Sequence, residues 1–560
     1  MSTSSTKLSK KARAKQRAAE IESSRRELEA ATTTDGIPEN AWRIGVVVIL
    51  VIAAGLRLWN LNLVPLHHDE GVNGNFLVRL VREGFYQYDP ENYHGPTLYY
   101  FAAFIPWVTK LLFGNSARET YGLTTFTIRL IPALFGVGTI ILVFLLRRKL
   151  GTVATLAAGV MLAVSPGAVY LSRYFIHETL FVFFTLGIVV ASVWFYEERN
   201  PSYLIPIAAS TALLLATKET AMISMGVLVI ALALTMVYMR LNRKGQFRRY
   251  RETEGLSRFT ERFGGMSSFI TNVVMALIVF QVLYLLFYSS FFTNYKGIND
   301  SLQTFAVWTK TGRTAHVHPP SMYIIWLIRQ EAPLLFLGTI GAAMAVLKPK
   351  NSVALFCGLW SFGLIAAYSL IPYKTPWLVL NFVVPLALVA GYAIQEIYEL
   401  DQRQFRLASV VLLVAIGIAT YQSIDLNFIN YDNDSPKYVY VYAHTTRPTL
   451  DLVKQVEDIA KENQGGQTGI SIISPDYWPL PWYLRNFSRV GYFGRMAVSS
   501  EPIIIANENQ KEEVEKNFGE SYRQVPSKAE GGSFELRPGV KLLLYVRRSD
   551  LFSPPNPQIP

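Results

Sequence analysis

Apolar runs of roughly 17 to 25 residues, the length that carries a helix across a bilayer, recur along this chain. They fall near 43–59, 127–147, 152–171, 178–196, 203–217, 220–240, 268–292, 322–347, 352–371, 375–397 and 406–422. The pattern predicts an all-α polytopic membrane bundle of about eleven spans over residues 43–422. Two stretches escape it. Residues 1–42 hold no apolar core and read as a basic, disordered tail. Residues 423–560 alternate differently: LDLVKQVEDIAKE has the spacing of an amphipathic helix, GISIIS, EPIIIA and VKLLLYV read as buried strands, and 509–517 as a charged helix. That alternation predicts a small α/β domain.

Composition agrees. The chain is 51% hydrophobic and 17% charged, which is too apolar for an ordinary soluble enzyme. Its net charge of +12 raises the question of nucleic acid, but the distribution answers it. The cations gather at Lys7 to Arg26, at Arg147-Arg148-Lys149, over 240–262, at Lys348 and Lys350, and at Arg403 and Arg406, always beside apolar segments. Such flanks set topology. They predict a cytoplasmic N-terminus in a cell (plasma) membrane, a first outer loop over 60–126, and an extracytoplasmic domain over 423–560. The tail lacks the apolar stretch of a cleaved signal peptide. Residues 97–113 are apolar enough to span, but counting them would turn the basic loops outward. They are read instead as a surface helix with Tyr99, Tyr100 and Trp107 at headgroup level, and 71–83 as a second one. The single cysteine, Cys357, excludes an intrachain disulfide. No phosphate-binding Gly loop is present, which argues against an ATP-driven pump.

The chemistry gathers outside. His67-His68-Asp69-Glu70-Gly71 opens the first loop, followed by Asn73, Asn75, Asp89, Glu91, Asn92 and His94. At other outer span ends lie Arg173, His177-Glu178, Lys218-Glu219, His316, His318 and Tyr373-Lys374-Thr375. Carboxylates beside cations suit a transfer with a phosphate leaving group: one carboxylate takes the acceptor's proton while cations hold the departing charge. His67, His68, Glu91, His94, His316 and His318 also offer ligands to a divalent ion, although their spacing fits no standard zinc pattern. In the C-terminal part, Trp478 and Trp482 stand in an aromatic loop over 475–483 that suits either sugar stacking or anchorage onto the membrane or bundle, and anchorage is the favoured reading.

These motifs resemble the GT-C type membrane glycosyltransferases that use lipid-phosphate sugars, among them the protein O-mannosyltransferases and lipid A aminoarabinose transferases. The resemblance rests on Asp69-Glu70, on His94-Gly95-Pro96-Thr97-Leu98-Tyr99-Tyr100, on the segment from Thr127 to Gly136 with Arg147-Arg148-Lys149-Leu150-Gly151, on Ser165-Pro166 with Ser172-Arg173, and on Ala216-Thr217-Lys218-Glu219. HHDEG and YHGPTLYY resemble most the prokaryotic branch of flippase-activity-associated proteins. The resemblance implies Asp69 as catalytic base with Glu70 as its partner, and Arg173, Lys218 and Lys374 as ligands of the lipid phosphate. His94, His177, Glu178 and Tyr373 join them at the substrate. It implies a polyprenyl-phosphate-linked sugar as donor and a protein, lipid or glycan as acceptor, with no certain cofactor. Two other readings stand beside it: a flippase or transporter of lipid-linked sugars, and a non-catalytic partner in surface glycosylation.

Overall fold

The structure is a computed structural model that describes residues 37–91, 94–113, 122–242, 263–314, 316–400, 404–527 and 532–548. The basic tail to residue 36, most of the basic loop over 240–262, Asn92 and Arg403 lie outside these. The first helices are α1 (Glu39–Leu58), α2 (His68–Glu83), α3 (Thr97–Phe113), α4 (Thr125–Phe144), α5 (Thr152–Val164), α6 (Pro166–Ser172), α7 (Glu178–Glu198), α8 (Leu204–Leu215) and α9 (Ala221–Asn242). There follow α10 (Met266–Tyr288), α11 (Lys296–Thr314), α12 (Met322–Gln330), α13 (Ala332–Leu347), α14 (Ser352–Leu370), α15 (Leu380–Glu399) and α16 (Gln404–Ile424).

Among the described residues, eight helices are long and apolar enough to cross a membrane, and ten segments are if each bent pair counts as one span. The remaining expected segment, 203–217, is the shorter Pro201–Leu215. The bundle is built around α15. In its span, Pro376–Glu399, 94% of the apolar window is buried by neighbours, against 6% for α10 at the periphery. Close packing on α15 uses small residues: a Cβ on Gly391 would lie 2.1 Å from the Ala154 carbonyl of α5.

Two spans that the apolar pattern draws as continuous are broken. The segment 152–171 bends by 60° between α5 and α6, at Ser165, and 322–347 bends by 112° between α12 and α13, at Glu331. Pro166 and Pro333 sit in the first turn after each break, where a missing N–H costs nothing. The surface-helix reading also needs correction. Tyr99 and Tyr100 do not face headgroups; both are buried, Tyr99 against Tyr86 at 5.0 Å and Tyr100 against Phe291 at 4.8 Å. Trp107 alone of the three is exposed.

The C-terminal domain has a mixed six-stranded sheet in the order β2-β1-β3-β6-β4, with β5 paired to β6. The strands are β1 (Ile470–Ile472), β2 (Val490–Tyr492), β3 (Ile503–Asn507), β4 (Tyr522–Val525), β5 (Phe534–Arg537) and β6 (Val540–Arg547). β1 runs parallel to β2 and β3, while β6 is antiparallel to β3, β4 and β5. The strand period of two sorts its apolar residues to two faces. Ile503, Ile505, Leu542 and Leu544 pack with Leu452 and Val456 of α17 (Pro448–Glu462), and Ile504, Ala506, Leu543 and Tyr545 pack with Val514 of α18 (Lys511–Phe518). The short strands β2, β4 and β5 carry too few apolar residues to be read from the sequence.

Candidate active site

The carboxylate pair is placed by the start of α2. His67 caps this helix: its Nδ1 accepts the Asp69 N–H at 3.1 Å, and the Glu70 carboxylate accepts the His67 N–H at 3.1 Å. His67 Nε2 donates to the Tyr442 carbonyl at 2.9 Å, which fixes the neutral tautomer. The capping box turns the two neighbours apart. Glu70 points into the bundle and is fully buried. It takes Arg129 Nε at 2.7 Å, the other arm of Arg129 at 2.6 Å and the Phe175 N–H at 2.8 Å. Arg129 also donates to the carbonyls of Leu61 and Val64, both at 2.8 Å. Every lone pair of Glu70 is committed to holding the chain between α1 and α2, so the expected partnership of Glu70 with Asp69 in catalysis is corrected. Asp69 is different: its side chain is 41% exposed.

The opposite wall is assembled by a two-residue bridge. His94 pairs with Lys218 as antiparallel strand, and Gly95 N–H donates to the Thr217 carbonyl at 3.0 Å. A Cβ on Gly95 would stand 2.0 Å from the Ala216 carbonyl, so this approach requires glycine. The bridge brings Lys218 to Glu178 at 2.5 Å and His94 to Glu219 at 3.1 Å. His177 donates from Nε2 to the Gly95 carbonyl at 3.0 Å and packs on His94 at 4.9 Å. Burial alone would lower the Lys218 pKa, but the carboxylates of Glu178 and Glu219 outweigh it and hold the ammonium charged. Burial pushes His177 well below its ordinary range, and His94 and Lys218 add to the effect.

Between these walls lies a cavity of about 520 Å³, roofed by the C-terminal domain through Tyr442, Ala443 and Arg537. Of the predicted site residues it brings together Asp69, His94, His177, Glu178, Lys218 and Tyr373. Three stand elsewhere. Glu70 is sealed behind Arg129. Arg173 caps the end of α1, giving its guanidinium to the carbonyls of Trp59 at 2.6 Å and Asn60 at 2.9 Å. Lys374 donates to the carbonyls of Ile371 at 2.5 Å and His318 at 3.2 Å and is almost fully buried. Both cations are committed to backbone carbonyls and neither lines the cavity, which corrects their assignment as phosphate ligands.

Sequence reasoning missed Arg537, which arrives from β5 more than 400 residues after the first loop. Among the described residues, only Lys218 and Arg537 bring permanent cations to the cavity wall. Among the described residues no group of three or more His, Cys, Asp or Glu is gathered to hold a metal ion. His67, His68, Glu91, His94 and His316 all line the cavity but do not converge. A second cavity of about 690 Å³, lined by apolar residues of α9, α13 and α14, contains none of the candidates.

The geometry can be set beside known proteins. Residues 47–303 match the family model described as dolichyl-phosphate-mannose-protein mannosyltransferase. No curated protein matches the chain by sequence. Among solved structures, ArnT from Cupriavidus metallidurans bound to undecaprenyl phosphate aligns with a TM-score of 0.56 at 14% identity, covering 93% of this chain and 100% of that one. The oligosaccharyltransferase AglB from Archaeoglobus fulgidus, in complex with an inhibitory peptide and a dolichol-phosphate, aligns with a TM-score of 0.51 at 12% identity, covering 84% and 70%. At such identities the likeness is one of fold. It extends over the bundle and the C-terminal domain alike, whereas the family match ends within α11 and singles out no flippase-associated branch. The chain is thus a multi-pass membrane protein of the GT-C fold, that of the glycosyltransferases that use polyprenyl-phosphate-linked sugars, and its residues 47–303 match the dolichyl-phosphate-mannose-protein mannosyltransferase family.

Proposed function

We propose that this protein transfers a sugar from a polyprenyl-phosphate-linked donor to an acceptor on the extracytoplasmic face of the plasma membrane, by a single inverting displacement with Asp69 as general base. One observation carries the assignment. Glu178 and Glu219 are tied to Lys218 and His94, whereas the Asp69 carboxylate, among the described residues, accepts no hydrogen bond and meets no ion-pair partner closer than His67 Nδ1, at 3.9 Å. Glu91 also lines the cavity and has no side-chain partner among the described residues, but it is an exposed residue of the loop before His94.

In the reaction, Asp69 takes the proton of the acceptor group as that group attacks the anomeric carbon. The bond from that carbon to the phosphate oxygen breaks, and its electron pair leaves with the phosphate. Lys218 is the cavity cation best placed by charge to receive it, since an ammonium held protonated by two carboxylates can still offer its remaining N–H donors. The undecaprenyl phosphate in the ArnT structure and the dolichol-phosphate in the AglB structure support a lipid phosphate as the donor's anchor here. The basic flanks of the spans support a cytoplasmic N-terminus with the cavity facing outward.

The test is sugar transfer from radiolabelled polyprenyl-phosphate sugars in membranes carrying wild type or Asp69→Asn. Transfer by the wild type that disappears in the variant at equal expression is the expected result. Full transfer by Asp69→Asn would remove Asp69 as base.

A further inference from the structure

The C-terminal domain supplies part of the cavity wall, and its contribution has a defined chemistry. Arg537, at the end of β5, lines the cavity and forms an ion pair with Asp476, in the loop after β1. Both side chains remain partly open, at 23% and 36% exposure. One guanidinium nitrogen bonds Asp476, which leaves most of the five arginine donors and part of the carboxylate for a ligand. Two residues beyond Asp476, Trp478 is half-buried, with its ring centroid 6.1 Å from that of His68. Trp478 and Trp482 therefore divide the two roles open to this loop. Trp482 is the anchor, almost fully buried against Gly74 of α2. Trp478 stays partly exposed.

The loop is held firmly. Pro479 packs on Gly71, the Tyr483 hydroxyl accepts the Leu66 N–H at 2.8 Å, and Arg485 donates to the Leu123 carbonyl at 2.8 Å. This fixes the pair beside the first turn of α2, where His68 experiences Asp69, Arg537 and Asp476 together. Lys218 has other neighbours, chiefly Glu178 and Glu219. In an inverting displacement the attacking and departing oxygens lie on opposite sides of the anomeric carbon, so the base marks the acceptor's side. The Arg537 end is then the acceptor end.

Resting on the glycosyltransferase reading, we infer that Arg537, Asp476 and Trp478 form an acceptor subsite for an uncharged hydroxylated ring, a carbohydrate. The ion pair is neutral and Asp69 adds negative charge, which disfavours a phosphorylated acceptor. Guanidinium and carboxylate edges offer donors and acceptors to adjacent hydroxyls, and an indole face suits the C–H face of a sugar ring.

The experiment uses the full chain in lipid nanodiscs. Methyl α-mannoside, methyl β-glucoside and methyl β-galactoside are titrated by saturation-transfer NMR, and undecaprenyl phosphate is titrated separately. Wild type should bind at least one glycoside. Trp478→Ala and Arg537→Gln should each weaken it about tenfold, the worth of one or two hydrogen bonds or a stacking contact, with undecaprenyl phosphate unaffected. Arg537→Lys keeps a cation beside Asp476 and should fold like the wild type while losing glycoside affinity, which separates a binding defect from a folding defect. The inference is overturned if no glycoside binds the wild type, if the variants bind glycosides normally, or if they lose undecaprenyl phosphate instead. A wild type that binds a glycoside in this Trp478-dependent way yet transfers no sugar from any lipid donor would support the subsite and sink the transferase reading.

Discussion

Asp69 and Glu70 share a peptide bond, yet the first turn of α2 sends one to the cavity and the other to Arg129. The consequence is a separable pair of phenotypes. Glu70→Ala strands a fully buried guanidinium, a change that costs ~3–5 kcal/mol, so thermal melting in detergent should show a large drop and expression should suffer. Asp69→Asn touches a partly exposed group with no bonded partner. Its melting temperature should stay near wild type while transfer falls by ~10²–10⁴-fold, the usual worth of a general base. Equal melting losses in the two variants would contradict the geometry. His444 offers a pH test. It is buried beside His67 at 6.4 Å, and burial depresses its pKa to about 3 from an ordinary 6.5. Between those values the unfolded chain binds a proton there that the folded chain does not, so stability falls as pH drops below 6.5. The slope contributed is at most ~1.4 kcal/mol per pH unit. His444→Gln should flatten the decline in melting temperature between pH 6.5 and 4; an unchanged slope would rule His444 out as its source.

At the scale of elements, the decisive contact joins the loop after β1 to α2. A Cβ on Gly74 would meet Trp482 at 2.6 Å, and one on Gly71 would meet Pro479 at 2.5 Å. Gly74→Leu should therefore expel Trp482, whose burial is worth ~3–5 kcal/mol by analogy with core Trp deletions. The sheet and its own two apolar faces should survive, since their cores do not depend on this contact. The expected outcome is loss of transfer with C-terminal domain circular dichroism retained and faster proteolysis in the 475–485 loop. An intact loop would refute the docking role. The same scale shows what a sequence reveals. Spans followed from the length of apolar runs, α17 from its helical spacing, and β1, β3 and β6 from short buried runs. Asp69, His94, His177, Glu178, Lys218 and Tyr373 stood out as polar groups at span ends, and all reach the cavity. Arg173 and Lys374 carried the same signal and do not, because their partners are backbone carbonyls, from a distant segment for Arg173 and from both its own turn and a distant segment for Lys374, which no side-chain pattern encodes. Arg537 was hidden for a related reason: only the docking of β5 over the bundle brings it in. Arg129, a lone charge inside an apolar run, and Glu331, with only Arg329 near it in its run, could have been found, since a charge inside an apolar run demands a partner.

Glu331 shows how the whole molecule is tied together. It sits at the 112° break of one span, and its carboxylate accepts Ser165 Oγ at 3.0 Å and the Gly167 N–H at 2.7 Å, both at the break of the other. The hydroxyl of Tyr440, on the segment that leads into the C-terminal domain, reaches the same oxygen at 3.4 Å. One buried side chain, standing at one break, thus caps the start of α6 at the other and fastens the connection that carries the cavity's roof. Glu331→Leu would leave the Ser165, Gly167 and Tyr440 donors unpaired at once, at ~1–3 kcal/mol for each group that finds no water. Glu331→Gln keeps an acceptor oxygen and should cost much less. The expected order of melting temperatures is wild type, then Gln, then Leu, with the Leu variant cut by protease between 430 and 447 and impaired in transfer although no cavity residue has changed. If Leu matched the wild type in melting and cleavage, the two breaks would be stabilised independently. The cavity's roof would then owe its position to the docking of the loop after β1, and Gly74→Leu should by itself reproduce the full loss of transfer.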